Sequence, residues 1–290
     1  EAGRIEIDLT RNVDNVPLGI NLTESTTLAS CRMSALNVLG ADIPRCSGAF
    51  RRIVVKMREG AVIGKPRKPA ATSAATSNLC SAFASHLHAL YAQLGAGLGS
   101  AYSTVGVPAS ASVISGQDPR YGDKDYVNQI LMGYWGGPAT ARSDGWLTYG
   151  SASTQGAVWQ SSVEVSELQH PIIVEKLAIR QDSGGAGQFQ GGPGASVTFF
   201  AHKAPVRFIF YSGSSRIPPK GVRGGSDAAP TGAWLERHPG ERELLPNNGN
   251  ILLQPGQRLH SDSCGGGGYG DPAQRDRARV DHDVREGWIT

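Results

Sequence analysis

The stretch Cys264-Gly-Gly-Gly-Gly-Tyr-Gly-Asp-Pro272 constrains the fold of this chain most, because it supplies backbone almost without side chains. Gln257 to Ser263 before it has strand composition. After it, Asp271 is suited to cap a helix and Pro272 to occupy the first helical position, where a missing N–H costs nothing. A strand, a bare loop and a helix N-terminus therefore follow one another. Two readings are open: a tight turn using positive φ angles that glycine adopts cheaply, or exposed amides at the positive end of a helix dipole, able to hold an anion. Gly265, Gly267 and Gly270 also satisfy G-x-G-x-x-G. That fingerprint requires a second strand and an acidic residue about 20 positions on. With the sequence running to Thr290, no such βαβ unit is expected, and no P-loop motif occurs.

The 290 residues suffice for one large domain or two smaller ones with a sizeable core. The formal charge of +3, from 28 basic and 25 acidic residues without a basic run, disfavours nucleic acid and anionic membrane as partners. The 38 glycines show no collagen-like period and imply long ordered loops instead. Cys31, Cys46, Cys80 and Cys264 form no C-x-x-C pair, and the default setting is reduced and cytoplasmic. No apolar run approaches the roughly 20 residues of a membrane span, and no signal-peptide pattern is present. The chain starts at Glu1 with strand-like sequence at once, as expected of part of a longer or processed protein.

Alternation over Arg4–Leu9 predicts a strand. Asn21–Ser25 offers helix caps before a stripe of Leu28, Cys31, Ala35 and Leu39, with Gly40 as a stop. Arg51–Met57 reads as a strand and Gly60–Thr76 as a loop. Ser77–Leu94 is the clearest helix, with Leu79, Phe83, Leu87, Leu90 and Leu94 at helical spacing. His86 and His88, two apart, lie on different faces and read as partly exposed structural residues. Gly95–Gly122, rich in Gly, Ser and Ala, reads as a linker or long loop. Tyr126, Tyr134, Trp135 and Trp146 could wall a pocket or simply pack. Beyond residue 160 the chain is β-rich, with strands at Ile172–Val174, Ser196–Ala201, Val206–Ser212, Ile251–Leu253 and Gln257–Asp262. A helix is predicted over Pro272–Glu286, with Arg277 and Asp281 on a solvated face and Val280, Val284 and Trp288 inward. The expected fold is α+β, β-rich with a few amphipathic helices and long glycine-rich loops. Its parts are an α+β portion at 1–94, the loop or linker at 95–122, and a β-rich portion at 123–290.

No G-x-S-x-G elbow or H-E-x-x-H motif occurs, and the histidines lack metal-ligand spacing. Glu164 and Glu167 would share one face of a helix and could do acid–base work, or could be a solvated pair. Asp182, at the head of a glycine turn, could orient a substrate amide or cap its own turn.

Several stretches together resemble the hydantoinase B/oxoprolinase family. These are Glu164-Val-Ser-Glu167 with His170-Pro171, Asp182-Ser-Gly-Gly-Ala-Gly-Gln-Phe-Gln-Gly-Gly192, and Gly265–Pro272, in the family's order, with Pro17–Asn21 and Asp42-Ile-Pro44, Gly48 and Arg51 fitting upstream. Gln190 stands where the family usually has arginine, and Ser162 where it usually has proline. The resemblance implies a heteromeric enzyme. A hydantoinase A-like subunit binds ATP and Mg and phosphorylates the substrate. The B-type subunit, of which this would be the C-terminal portion, completes hydrolysis of a cyclic amide such as hydantoin or 5-oxoproline. Related members carboxylate acetone or acetophenone, and Asn128-Gln129, Gly136–Ala139 and Asp144–Trp146 are somewhat similar to those. A non-catalytic scaffold is the third reading. The implied site residues are Asp182, Glu164 and Glu167 for catalysis, and Gly266, Gly267, Gly268, Tyr269 and Asp271 for substrate or anion binding. No metal ligand is assigned. A divalent metal, where members have one, belongs to the family's N-terminal region, ahead of the residues matched here.

Overall fold

The computed structural model describes residues 3–17, 19, 21–39, 42–68, 74–95, 99–133, 135–147 and 160–290, with side chains of 74–80 excepted. Gly40, Tyr134 and the Leu79 side chain therefore lie outside the described residues. The chain divides into two compact units, 1–100 and 101–290.

In the first unit, β1 (Ile5–Asp8) pairs in parallel with β2 (Ile53–Lys56). Between them lie α1 (Glu24–Val38) and the short α2 (Ser47–Phe50), and α3 (Ala74–Gln93) follows. Thr23 caps α1, its hydroxyl accepting the Thr26 amide. Ile7, Cys31, Ala35, Leu36 and Ile53 form the core, with Phe83 and Leu87 of α3 against it. The expected α3 stripe needs correction at its far end, where Leu90 and Leu94 are exposed and the small Ala84, Ala89 and Ala92 are buried instead. The stretch read as a loop to Thr76 also gives its end to α3.

The second unit holds two antiparallel sheets. One runs β10-β9-β12-β7-β6, built from β6 (Ile172–Ile179), β7 (Ala195–Ala201), β9 (Gly232–His238), β10 (Glu241–Leu244) and β12 (Arg258–Asp262). The other runs β11-β8-β4-β5, with β4 (Val113–Asp118), β5 (Lys124–Gln129), β8 (Val206–Ser212) and β11 (Asn248–Leu253), and β3 (Gly106–Val107) also pairs with β8. Strict alternation in β8 sends Val206, Phe208 and Phe210 inward. There they meet Val197, Phe199 and Leu259 of the facing sheet, the rings of Phe199 and Phe208 lying 5.7 Å apart.

The second unit corrects two expectations and adds one element. The 95–122 stretch contains β3 and β4, and β4 is an inner strand whose Ile114 is fully buried. The β9–β10 hairpin occupies a stretch to which the sequence reading assigns no element. The C-terminal helix is broken: Pro272–Gln274 is a single 3-10 turn, and α5 spans only Arg277–Arg285, capped by Asp276. Val284 of α5 is exposed and Asp283 is buried, because Asp283 answers a buried arginine. The short α4 (Val163–Gln169) precedes β6. Among the described residues no helix is long and apolar enough to cross a membrane.

Candidate functional site

The carboxylates singled out by sequence sit on separate elements, Glu164 and Glu167 on α4 and Asp182 just after β6. The two glycine motifs do meet, but backbone to backbone. Gly185 donates its amide to the Gly266 carbonyl (2.9 Å), Gly192 to Gly137 (2.9 Å) and Gly136 to Cys264 (3.1 Å). A Cβ on Gly191 would overlap the Gly266 carbonyl, and one on Gly266 the Gly137 carbonyl. Extended segments around residues 136, 185, 191, 222 and 266 are thus woven at a spacing that excludes side chains.

In this arrangement the main-chain amides of Gly266, Gly267, Gly268 and Tyr269, expected to hold substrate or an anion, are already engaged. Their amides donate to the carbonyls of Gly192 (3.0 Å), Tyr102 (3.0 Å), Ser226 (3.1 Å) and Phe189 (2.9 Å). A nitrogen already satisfied by a carbonyl cannot serve an incoming anion without losing that bond. The simple-turn reading is also incomplete. In this run only Gly270 has positive φ (75°), so close backbone approach is what requires the other glycines. Asp271 caps the 3-10 turn by accepting the Ala273 amide at 2.9 Å.

The three carboxylates each have local partners. Asp182, at φ 56°, donates its amide to the Trp288 carbonyl and accepts the Thr290 amide at 2.9 Å, holding the last residues of the chain. Ser162 caps α4 and donates its hydroxyl to Glu164 (2.7 Å). That bond, with the Glu164 backbone amide, holds the Glu164 carboxyl below its ordinary range. Serine in place of the family's proline thus supplies a cap. Glu167 accepts the Val174 amide of β6 at 2.8 Å. Of the four aromatics, Trp135 is buried, Tyr126 packs beside His170, and Trp146 is exposed.

Polar clusters that sequence reasoning passed over carry more chemistry. On the outer face of the β10–β6 sheet, pairing register sets Lys176, Thr198, His260 and Trp234 in one row across four strands. His260 Nδ1 lies 3.0 Å from Thr198 Oγ1, and its Nε2 lies 2.9 Å from Glu236 Oε2. Glu236 is only 8 % exposed and also accepts from Arg242 Nε at 3.2 Å. Arg242, then His260, hold its carboxyl below the ordinary range. Beside it Ser196 donates to Asp262 (2.7 Å), and Arg258 grips Glu175 with two bonds (2.7 and 2.8 Å). A cavity of about 720 Å³ lies over this wall. The available signal was the polar alternation of Arg258, His260 and Asp262 along β12.

Elsewhere, Arg120 binds the buried Asp118 in a fork (2.9 and 2.7 Å), lowering the Asp118 pKa against the opposing effect of burial. Asn128 accepts the Gln129 amide through Oδ1, and its Nδ2 lies 3.1 Å from His170 Nε2. Burial, then Arg120, lowers the His170 pKa, and burial pushes that of Tyr126 up to about 12. Arg275, buried, joins Asp144 (2.7 Å) to Asp283 (2.6 Å) and closes the C-terminal turn onto the 140–146 loop. Among the described residues no group of three or more His, Cys, Asp or Glu side chains is placed to hold a metal ion.

Comparison with known proteins adds the following. The sequence pattern of the hydantoinase B/oxoprolinase family matches residues 1–272. The caprolactamase β subunit of Pseudomonas jessenii is 32% identical over 187 residues, covering 63% of this chain and 32% of that protein. An uncharacterised protein of Methanocaldococcus jannaschii is 25% identical over 302 residues, 98% of this chain and 48% of its own. Among solved structures, the ATP-dependent caprolactamase of P. jessenii superposes with a TM-score of 0.80 at 25% identity, covering 97% of this chain and 49% of that one. Nucleotide-free acetone carboxylase superposes at 0.76 and 16% identity, covering 98% and 42%, a likeness of fold. The chain spans less than half the length of each of these relatives.

Proposed function

The chain belongs to the hydantoinase B/oxoprolinase family, and from that premise we propose that it is the C-terminal portion of a B-type subunit in an ATP-dependent amidohydrolase that opens a cyclic amide. The observation that carries this reading is the likeness to caprolactamase, in sequence (32% over 187 residues) and in fold (TM-score 0.80 over 97% of the chain). Hydantoin, 5-oxoproline and caprolactam are the substrates of that class to test first. The proposal places the enzyme in the cytoplasm and pairs it with a hydantoinase A-like subunit that binds ATP and Mg.

Chemistry makes the ATP requirement reasonable. An amide carbonyl resists water, whereas its O-phosphorylated form carries a good leaving group, and that anionic intermediate needs a compartment poor in water. The amides of Gly266, Gly267, Gly268 and Tyr269 donate to carbonyls, so the woven glycine segments are not asked to hold a phosphate here. Their contribution in this proposal is rigidity: a backbone scaffold that positions neighbouring side chains and a partner surface without side-chain freedom.

The test is ATP-coupled ring opening by the intact A/B complex, read as ADP and ring-opened acid released in step. A folded, complete complex inactive across hydantoin, 5-oxoproline and caprolactam would overturn the reading. Turnover that requires bicarbonate and yields a carboxylated ketone would transfer the chain to the carboxylase branch.

A further inference from the structure

We propose that Thr198, His260 and Glu236 form a hydrolytic triad on the outer sheet face, acting through a threonine ester on small activated carboxylic esters. The proposal goes beyond the ATP-dependent reaction and does not depend on it. Its basis is a relay of two hydrogen bonds leading to a cavity. Ionised Glu236 can only accept, so the His260 Nε2 at 2.9 Å carries the ring proton. Nδ1 is then the acceptor, and the Thr198 hydroxyl at 3.0 Å donates to it. That is the order nucleophile, base, orienting carboxylate, the arrangement by which a hydroxyl is activated. Glu236 is in turn fixed by Arg242.

The surroundings suit an acyl substrate. Lys176 is the register partner of Thr198 on β6, its side chain projects from the same face, and both line the cavity of about 720 Å³. Unlike Arg242, Arg258 and Arg180, Lys176 has no carboxylate partner among the described residues, which leaves its ammonium to face a developing oxyanion. Trp234, at the other end of the row, offers an apolar wall for the acyl or leaving group.

Thr198 Oγ1 forms a bond to the ester carbonyl carbon while its proton moves to His260 Nδ1, the resulting imidazolium facing Glu236. The tetrahedral species collapses, the C–O bond to the leaving group breaks, and the leaving oxygen takes the proton from Nδ1. Water then gives a proton to Nδ1 and its oxygen to the acyl carbon. The carboxylic acid departs, and the proton returns to Thr198.

The experiment uses the intact protein with its partner subunits, without ATP, and 4-nitrophenyl acetate as the probe. Expected are release of 4-nitrophenol above the buffer rate and, after acid quench, an acetyl group mapped to the Thr198 peptide. Thr198→Val should lower the rate about 10²-fold or more, and Thr198→Ser should retain it. Glu236→Gln should lower kcat with KM unchanged, since Glu236 positions His260 and does not touch the ester. The proposal falls if the intact protein gives no hydrolysis above buffer, if folded Thr198→Val protein works at the wild-type rate, or if the acetyl group resides only elsewhere. Should Thr198→Val fail to fold, mapping the adduct on the unmodified sequence decides.

Discussion

Gly267 donates its amide to the Tyr102 carbonyl at 3.0 Å, and its own carbonyl accepts the Ala139 amide at 3.0 Å. It is held from both sides, and a Cβ on it would overlap the Lys220 carbonyl. Gly267→Ala and Gly191→Ala are therefore expected to destabilise the protein by about 3 kcal/mol or more, because main chain rather than a flexible side chain would have to move. Gly240→Ala, at a hairpin tip with open space but φ 85°, should cost only about 1 kcal/mol. Urea unfolding midpoints measure all three. A Gly267→Ala protein of native stability that lacks only activity would restore an amide-donor role for this loop.

The glycine motifs were legible as a family signature, but their physical purpose was not. Carbonyl partners for residues 266–269 come from Gly192, Tyr102, Ser226 and Phe189, and no local pattern joins such distant positions. Period-two strands such as β8 were legible because one face is buried and the other wet. The β9–β10 hairpin was not, since Glu236 is a charged residue in a buried position whose compensation, Arg242 and His260, arrives from other strands. For the same reason the sequence shows only the polar alternation of β12 and not that Thr198 and Glu236 flank His260. The broken C-terminal helix was missed because Arg275, at the break, turns back to bind Asp144 and Asp283.

Arg275 is the buried link between two carboxylates, so Arg275→Ala should cost about 3–5 kcal/mol by taking the guanidinium from buried Asp283 and leaving Asp144 only Arg279. Stability should also depend on acid. Burial alone would raise the Asp144 pKa, but hydrogen bonds from Arg275, the Gln190 amide and Arg279 hold it below the ordinary value. At Asp118, Arg120 has the same net result. A carboxyl depressed in the folded state adds stability that is present above its unfolded pKa of about 3.9 and is lost as pH falls through the folded value. Unfolding free energy measured from pH 6 downward should therefore decline below about pH 4, and more shallowly in Asp144→Asn. A slope unchanged by that substitution would contradict the account.

Cys46 is exposed at the start of α2, while Cys31 and Cys264 are buried. The amides of Ala49 and then Gly48 lower the Cys46 pKa, and burial raises that of Cys264. More thiolate at neutral pH means faster alkylation. Iodoacetamide at pH 7 should label Cys46 in the native protein and reach Cys31 and Cys264 only on unfolding, as peptide mapping would report. Equal native labelling at Cys264 would contradict the described packing.

The carboxylates of α4 allow a test between catalysis and architecture. Glu167 Oε1 accepts the Val174 amide at 2.8 Å, which fastens α4 to the start of strand β6. A glutamine preserves that carbonyl acceptor but not the charge, whereas alanine removes both. If the role is architectural, Glu167→Gln should leave stability and ATP-coupled turnover near wild type, and Glu167→Ala should cost about 1 kcal/mol with kcat preserved in the folded fraction. Glu164→Gln should likewise be silent in turnover, since Glu164 is exposed and bonded to its own cap residue. A loss of about 10²-fold or more in kcat for Glu167→Gln at unchanged stability would instead assign that carboxylate acid–base work. Measuring kcat and the unfolding midpoint on the same preparations separates the two, because an architectural bond moves the midpoint and a proton-transfer group moves the rate.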